Sequence, residues 1–414
     1  MLENYLRDPA AVARRKAGLF GAHLESFIAT VCELGYRRST VREQLRLLDD
    51  LEQWLKRRHL RLVNLDEQTS SQFLEKQRRK GCLRNTDGPT VRRFLAHLRK
   101  KSVIPWPEPK IDGSPLTILQ KRYENYLRKE RGLCSATVAG YWVFVRDFIV
   151  ERFGHGPVCL HELVPGDVSG FLLRHARSSS PGVAKLMVTA LRSFCRFLFR
   201  HGETECDLTG AVPTVPAWRL AEVPRHLKPE EVERVVHACD LSSLVGCRDQ
   251  AIILLLARLG LRAGEVIALE LDDIDWRAGV ITVRGKGCYH DRLPLPADVG
   301  EALATYLREH RPQCRTRRVF IRSRAPLRGF AHPSSISTIV CRALKRAGLQ
   351  PDFKGAHILR HSLATGMLHR GASMAEIGEI LRHRAPNTTE IYAKVDIGGL
   401  RSLALPWPLK GGEQ

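Results

Sequence analysis

The sequence predicts a mainly α chain with one small β-sheet in its C-terminal half, an α+β class in which helical bundles precede a mixed region. Three observations carry that expectation. Amphipathic helical patterning dominates the 414 residues, whereas strand-like alternation is confined to Val280 to Val283 and Arg292 to Leu295. Proline-rich stretches interrupt the chain at Val103 to Pro115, which holds Pro105, Pro107, Pro109 and Pro115, and again at Cys206 to Pro224. The length allows two to three domains with ample core. The expected divisions are residues 1–112, 113–205, a linker over 206–225, the main C-terminal domain over 226–405 and a tail over 406–414.

The first two divisions read as copies of one plan. Gly35 to Val41 lies over Gly132 to Val138 at an offset of 97 residues. With small adjustments Leu65, Phe73 and Leu74 fall on Leu163, Phe171 and Leu172, and Arg92, Phe94 and Leu98 on Arg192, Phe194 and Leu198. Each copy offers a Thr-Val helix start, an apolar stripe, a short segment ending in Phe-Leu, and a basic helix. The stretch from Val103 to Pro115 is then the joint between copies. The linker after Cys206 favours an extended chain, which suits a strap along a ligand or a plain connector equally.

In the C-terminal region, Pro229, Glu230 and Glu231 form a first helical turn and the periodic run continues to Ala238. Arg248 to Leu259 is an apolar helix stopped at Gly260, where a left-handed residue costs little. Arg262 follows on the rigid end of that helix. The two alternating stretches form a hairpin whose turn holds Lys286 between Gly285 and Gly287. Ser334 to Ala347, His357 to His369, Met374 to Leu381 and Asn387 to Lys394 read as helices. The tail holds Leu403-Ala-Leu-Pro-Trp407-Pro, an apolar patch suited to docking on a neighbouring subunit or on its own domain.

Lys plus Arg outnumber Asp plus Glu by 66 to 44, a net charge of +22. A surplus of that size points to nucleic acid or an anionic membrane surface. The longest apolar run in the C-terminal region, Ala251 to Ala257, is far too short to span a bilayer, and no signal segment opens the chain. Eleven cysteines without a CxxC pair read as reduced thiols of a cytoplasmic protein. Residues 1–112 carry 23 basic and 14 acidic side chains, so this division too is basic, at +9, and favours DNA contact over a purely protein role.

Six residues spread over 131 positions define the candidate site: Arg262 in LGLRAGEVIAL, Lys286 in ITVRGKGCYHDRLPL, His357 and Arg360 in HILRH, and His383 and Tyr392 in LRHRAPNTTEIY. Their chemistry suits attack on a phosphodiester. Two guanidiniums hold the charge that builds on the non-bridging oxygens and never lose their own. A tyrosine with an ordinary pKa of about 10 needs a base or a cationic pocket, and His357 can supply the base. A lysine among cations can give up a proton to the leaving oxygen. His357 and His361 have the helical spacing of a zinc pair, but Ile358 stands where a zinc protease needs glutamate and no third ligand is evident.

This set, in its order and its nine-residue step from His383 to Tyr392, resembles the tyrosine recombinase (phage integrase) family. The resemblance implies a tyrosine-recombinase catalytic domain preceded by helical DNA-binding domains that clamp a duplex. It implies a 3′-phosphotyrosyl intermediate on Tyr392, Lys286 as general acid, His383 as a hydrogen-bond donor to the phosphate, and Glu265 as a brace for Arg262 or for a neighbouring helix. It implies double-stranded DNA as partner, a homo-tetramer on two DNA sites with or without related recombinases, no cofactor, no metal and no membrane. Integration, excision or transposition of a mobile element is the expected role. Arg382 departs from the pattern, since the family often has glycine before that histidine. Two rivals are a type IB topoisomerase, which shares the residue set, and a non-catalytic DNA-binding protein, which a complete set disfavours.

Overall fold

The computed structural model describes residues 2–6, 8–107, 113–154, 156–214, 224–285, 289–385 and 388–395. The chain is mainly helical, with a three-stranded antiparallel sheet among the described residues. It forms two compact units. One is Pro107–Glu222, and the other combines Met1–Trp106 with Val223–Gln414.

The N-terminal segment contributes α1 (Pro9–Lys16), α2 (Gly21–Glu33), α3 (Arg38–Arg57), α4 (Glu67–Arg79) and α5 (Asp87–Lys100). On α3, Val41, Leu45, Leu48, Leu51 and Leu55 recur at three- and four-residue steps and are all buried. They close on Phe27, Phe73 and Phe94 from the neighbouring helices. Asp66 starts α4 by accepting the Thr69 amide at 2.7 Å. The end of α2 seats on the C-terminal region. The Leu327 amide donates to Leu34 O at 2.8 Å, and Arg315 pairs with Glu33 at 2.7 Å. Gly35, at φ +77°, allows that seat, because a Cβ there would lie 2.3 Å from Leu327 Cδ1.

The middle unit holds α6 (Pro115–Asn125), α7 (Ser135–Phe153), α8 (Pro165–Arg177) and α9 (Pro181–Arg200) around Tyr123, Trp142, Phe148, Phe171, Phe194 and Phe197. A 3-10 turn at Leu160–Glu162 precedes α8, as one at Leu62–Asn64 precedes α4. The series of a long helix, a 3-10 turn and two helices therefore occurs in both bundles, with α4 and α8 each of 13 residues.

The C-terminal region runs α10 (Pro229–His237), α11 (Leu244–Arg258), α12 (Ala263–Ala268), β1 (Ile274–Asp275), β2 (Val280–Arg284), β3 (His290–Pro294), α13 (Ala297–Thr305), α14 (Ser334–Arg346), α15 (His357–His369) and α16 (Met374–Ile380). Helix α11 is the axis of the core, with Ala251 to Ala257 all buried; each Ile and Leu side chain there contributes about 1.5–3 kcal/mol of burial. It starts four residues before Arg248, because Ser243 caps it by accepting the Gly246 amide at 3.0 Å. The hairpin pairs Val280 with Pro294 through Arg284 with His290, and the two-residue β1 adds an edge. The last expected helix is a 3-10 turn, Glu390–Val395. Residues 215–223 of the expected linker, Asn387 and the tail patch lie outside the described residues.

Candidate active site

Four elements bring the site together: the end of α11, the first turn of α15, the loop after α16 and the final 3-10 turn. Gly260 takes φ +57°, and a Cβ there would meet Leu381 Cδ2 at 2.8 Å and Leu363 Cδ2 at 3.0 Å. The glycine thus reverses the chain and lets α15 and α16 approach it. Arg262 comes next, at the N-cap of α12, where Glu265 Oε2 accepts its backbone amide at 2.8 Å and Oε1 accepts its Nη1 at 2.7 Å. The Arg262 side chain remains 37% exposed and so can reach an incoming anion.

Arg360 is buried and points to the same turn, donating to Gly260 O and Leu381 O. Those carbonyls fix the guanidinium without neutralising it. Burial first, then the like charges of Arg262 and Arg382, pull Arg360 down to about 10.

Arg382 has a larger part than its sequence suggests. It sits at φ +56°, a conformation glycine adopts freely, which accounts for glycine at this place in the family pattern. Its buried guanidinium donates to Ile380 O at 3.0 Å, to Leu259 O at 3.3 Å and to Glu265 Oε2 at 2.9 Å. Glu265 therefore braces two arginines rather than one. Its burial pushes its pKa up, yet the Arg262 amide and the two guanidiniums more than offset that, and the carboxyl stays below its usual range.

Tyr392 is 1% exposed, packed with Ala364, Ile377 and Leu381, and burial raises its phenol to about 12. Its hydroxyl lies 2.9 Å from His361 Nδ1. The residue on the tyrosine is thus His361, and not His357, to which the sequence pattern gives the base. One helical turn separates them; their ring centroids are 6.4 Å apart, and His357 is exposed. Burial, then the charges of His357 and Arg360, hold His361 at about 4, so it is neutral near pH 7 and its ring nitrogen can accept a hydrogen bond from the phenol. His357 is also lowered, by desolvation and by Arg360 and Arg262.

His383 is held by Thr389 Oγ1 at 2.8 Å through Nδ1, which leaves Nε2 as its other polar atom. Burial and the surrounding arginines place it at about 4. Lys286 lies outside the described residues. The base of its hairpin is tied to the His383 loop, since Arg384 donates to Asp291 at 2.8 Å and lies 4.4 Å over the Tyr289 ring. Among the described residues no three His, Cys, Asp or Glu side chains are grouped to hold a metal ion, and no helix is long and apolar enough to cross a membrane.

Residues 225–397, which contain this entire set, match the phage integrase family. The chain is 42% identical over 411 residues to the integrase/recombinase y4rA of Sinorhizobium fredii, covering 98% of this chain and 99% of that protein. The chain belongs to the phage integrase family. It is a tyrosine recombinase, an enzyme of site-specific DNA cleavage and rejoining. It is also 29% identical over 275 residues to the tyrosine recombinase XerD of Lacticaseibacillus casei, across 65% of this chain and 90% of that one. In fold it resembles the XerH recombinase solved on its difH substrate after cleavage, with TM-score 0.57 and 21% identity over 72% of this chain and 98% of that one.

Proposed function

We propose that this recombinase moves a mobile element by joining Tyr392 to a 3′-phosphate at each of two DNA sites, as a homo-tetramer with or without related recombinases. One observation carries the site assignment. Three guanidiniums, Arg262, Arg360 and Arg382, lie beside a buried tyrosine with one carboxylate among them, Glu265, which pairs with Arg262 and Arg382. That pocket is short of negative charge, and a phosphodiester whose oxygens gain charge on attack supplies it.

In this reading Arg262 and Arg360 hold the phosphate and Arg382 keeps Glu265 and the Gly260 turn in place. His383 donates from Nε2. His361 takes the Tyr392 proton as the phenolic oxygen bonds to phosphorus. The 5′ oxygen leaves with a proton from Lys286, and His357 assists at the pocket mouth. The phosphotyrosyl bond keeps the energy of the broken link, so the incoming 5′-hydroxyl of a second strand reseals it.

Tyr392→Phe tests this directly. It removes the attacking oxygen and keeps the ring, so a denaturant-stable protein–DNA adduct on duplexes from the DNA flanking the gene should vanish while binding persists. An adduct retained by the variant would refute the assignment. Exchange of partners that requires two such sites separates recombination from strand passage by a topoisomerase-like enzyme.

A further inference from the structure

Thr389, only 3% exposed, touches both the nucleophile and the histidine beside it. Its carbonyl accepts the Tyr392 amide at 3.0 Å, and its Oγ1 lies 2.8 Å from His383 Nδ1. Helix α16 closes over the pair. The His383 amide donates to Gly378 O at 2.9 Å, and a Cβ at Gly378 would lie 3.2 Å from the Thr389 hydroxyl. Glycine in α16 thus lets the helix pass close over that hydroxyl.

The proton of a buried hydroxyl needs an acceptor, and among the described residues His383 Nδ1 is the group bonded to Thr389 Oγ1. If Nδ1 carried the ring proton, it would donate to Oγ1, and the hydroxyl proton would have no described acceptor. Leaving a buried donor unmatched is costly. The arrangement that matches the hydroxyl proton is Oγ1–H donating to a bare Nδ1. Burial and the surrounding arginines keep the imidazole neutral near pH 7, so its single N–H then sits on Nε2. The arginines alone would favour the opposite, a lone pair on Nε2 facing their positive charge. The bond at the other ring nitrogen decides the tautomer.

We propose that Thr389 is a positioning residue for DNA cleavage: its hydroxyl donates to His383 Nδ1 and so fixes the tautomer of His383 that presents an Nε2–H to the phosphate. With the proton on Nδ1, the ring would turn a lone pair toward oxygens that gain negative charge on attack, and would repel them. The Thr389 carbonyl meanwhile holds the Tyr392 backbone. One residue of the final turn thereby sets both the attacking group and a donor to the group attacked. Thr388 beside it is exposed and has no such part.

The inference rests on the reading that Tyr392 attacks phosphorus while His383 donates to its oxygens. The test uses the full chain, isotope-labelled at the histidine ring nitrogens, with the His383 signals assigned by their loss in His383→Asn. Near pH 7 the wild-type spectrum should show a bare Nδ1 and a protonated Nε2; a protonated Nδ1 overturns the proposal. Single-turnover adduct formation on the flanking duplexes is the second measurement. Thr389→Val keeps the shape and removes the hydroxyl, so it should slow the step about 3–10-fold, the worth of one net hydrogen bond, at near wild-type duplex affinity. Thr389→Ser should recover most of the lost rate, and Thr388→Val should lose none. His383→Ala should be slower by about 100-fold or more, as for loss of an oxyanion donor, and adding Thr389→Val to it should slow it no further. A merely structural threonine would slow both backgrounds equally, and that result overturns the proposal. If Thr389→Val does not fold, the wild-type spectrum still decides. A wild-type rate in His383→Ala sinks the reading of His383 as phosphate donor instead, while the spectrum continues to decide where Thr389 places the ring proton.

Discussion

Removing the His361 imidazole should slow cleavage far more than removing that of His357. Tyr392 stands at about 12, so at pH 7 its ionisation is about 5 pH units uphill, or about 7 kcal/mol at 1.36 kcal/mol per unit. The arginine pocket lowers that cost once phosphate is bound, and a base touching the hydroxyl removes the need for free phenolate. His361 is so placed, at 2.9 Å. General-base assistance is worth about 10²–10⁴-fold, so His361→Ala should reduce the single-turnover rate of adduct formation by that factor and leave duplex affinity near wild type. Because its folded pKa is about 4, His361 remains an acceptor through the neutral range, and the wild-type rate should not dip between pH 7 and pH 5 for want of this base. The assay is adduct formation on a nicked flanking duplex, where escape of the short fragment prevents resealing. A wild-type rate in His361→Ala together with a slow His357→Ala would return the base to His357 and refute the reasoning from the tyrosine hydrogen bond.

Three further outcomes follow from the same geometry. Glu265→Gln leaves Arg262 and Arg382 without their carboxylate; it should destabilise the fold by about 3–5 kcal/mol, with part of the loss restored by added inorganic phosphate, and an unchanged melting temperature would show that the brace is dispensable. Lys286→Ala should cleave slowly on normal DNA and recover on a substrate with a 5′-bridging sulfur, whose departure needs no proton; equal impairment on both removes Lys286 from acid catalysis. His361 and His383 are each held at about 4 against an ordinary 6.5, so the unfolded chain binds more protons as pH falls through that window and stability drops with it; at pH 5 the loss is roughly 2 kcal/mol per ring, and denaturant titrations showing equal stability at pH 7 and pH 5 would contradict it.

What is legible in the sequence is what local patterns encode. Helix α15 is readable to both ends because His357 to His369 keeps its period, and the hairpin is readable because Val280 to Val283 alternates beside glycine. Strand β1 has two residues and α12 has six, too few to display any period, so packing against longer neighbours decides them. The final turn, helical by its pattern, instead places Thr389 under His383 and Tyr392 under His361.

That His361 rather than His357 touches the tyrosine hydroxyl has a physical cause of the same kind. His357 and His361 lie one turn apart, so helical spacing alone allows either to face the tyrosine. The choice falls to the final turn, which sits against Leu363, Ala364 and Met367, on the part of α15 that follows His361 rather than the part near His357. A signal is present in the Arg360-His361 adjacency, which the zinc-like spacing of His357 and His361 obscures. Arg382 is legible as a departure but not as a brace, because its partners Leu259, Gly260 and Glu265 are more than a hundred residues away in sequence. In a site whose cations outnumber its carboxylate, an arginine substituted for glycine is tolerated only if it carries its charge to that carboxylate. Glu265 accepts it and still holds Arg262, and that sharing lets a non-glycine residue occupy a left-handed turn at the centre of a phosphate pocket.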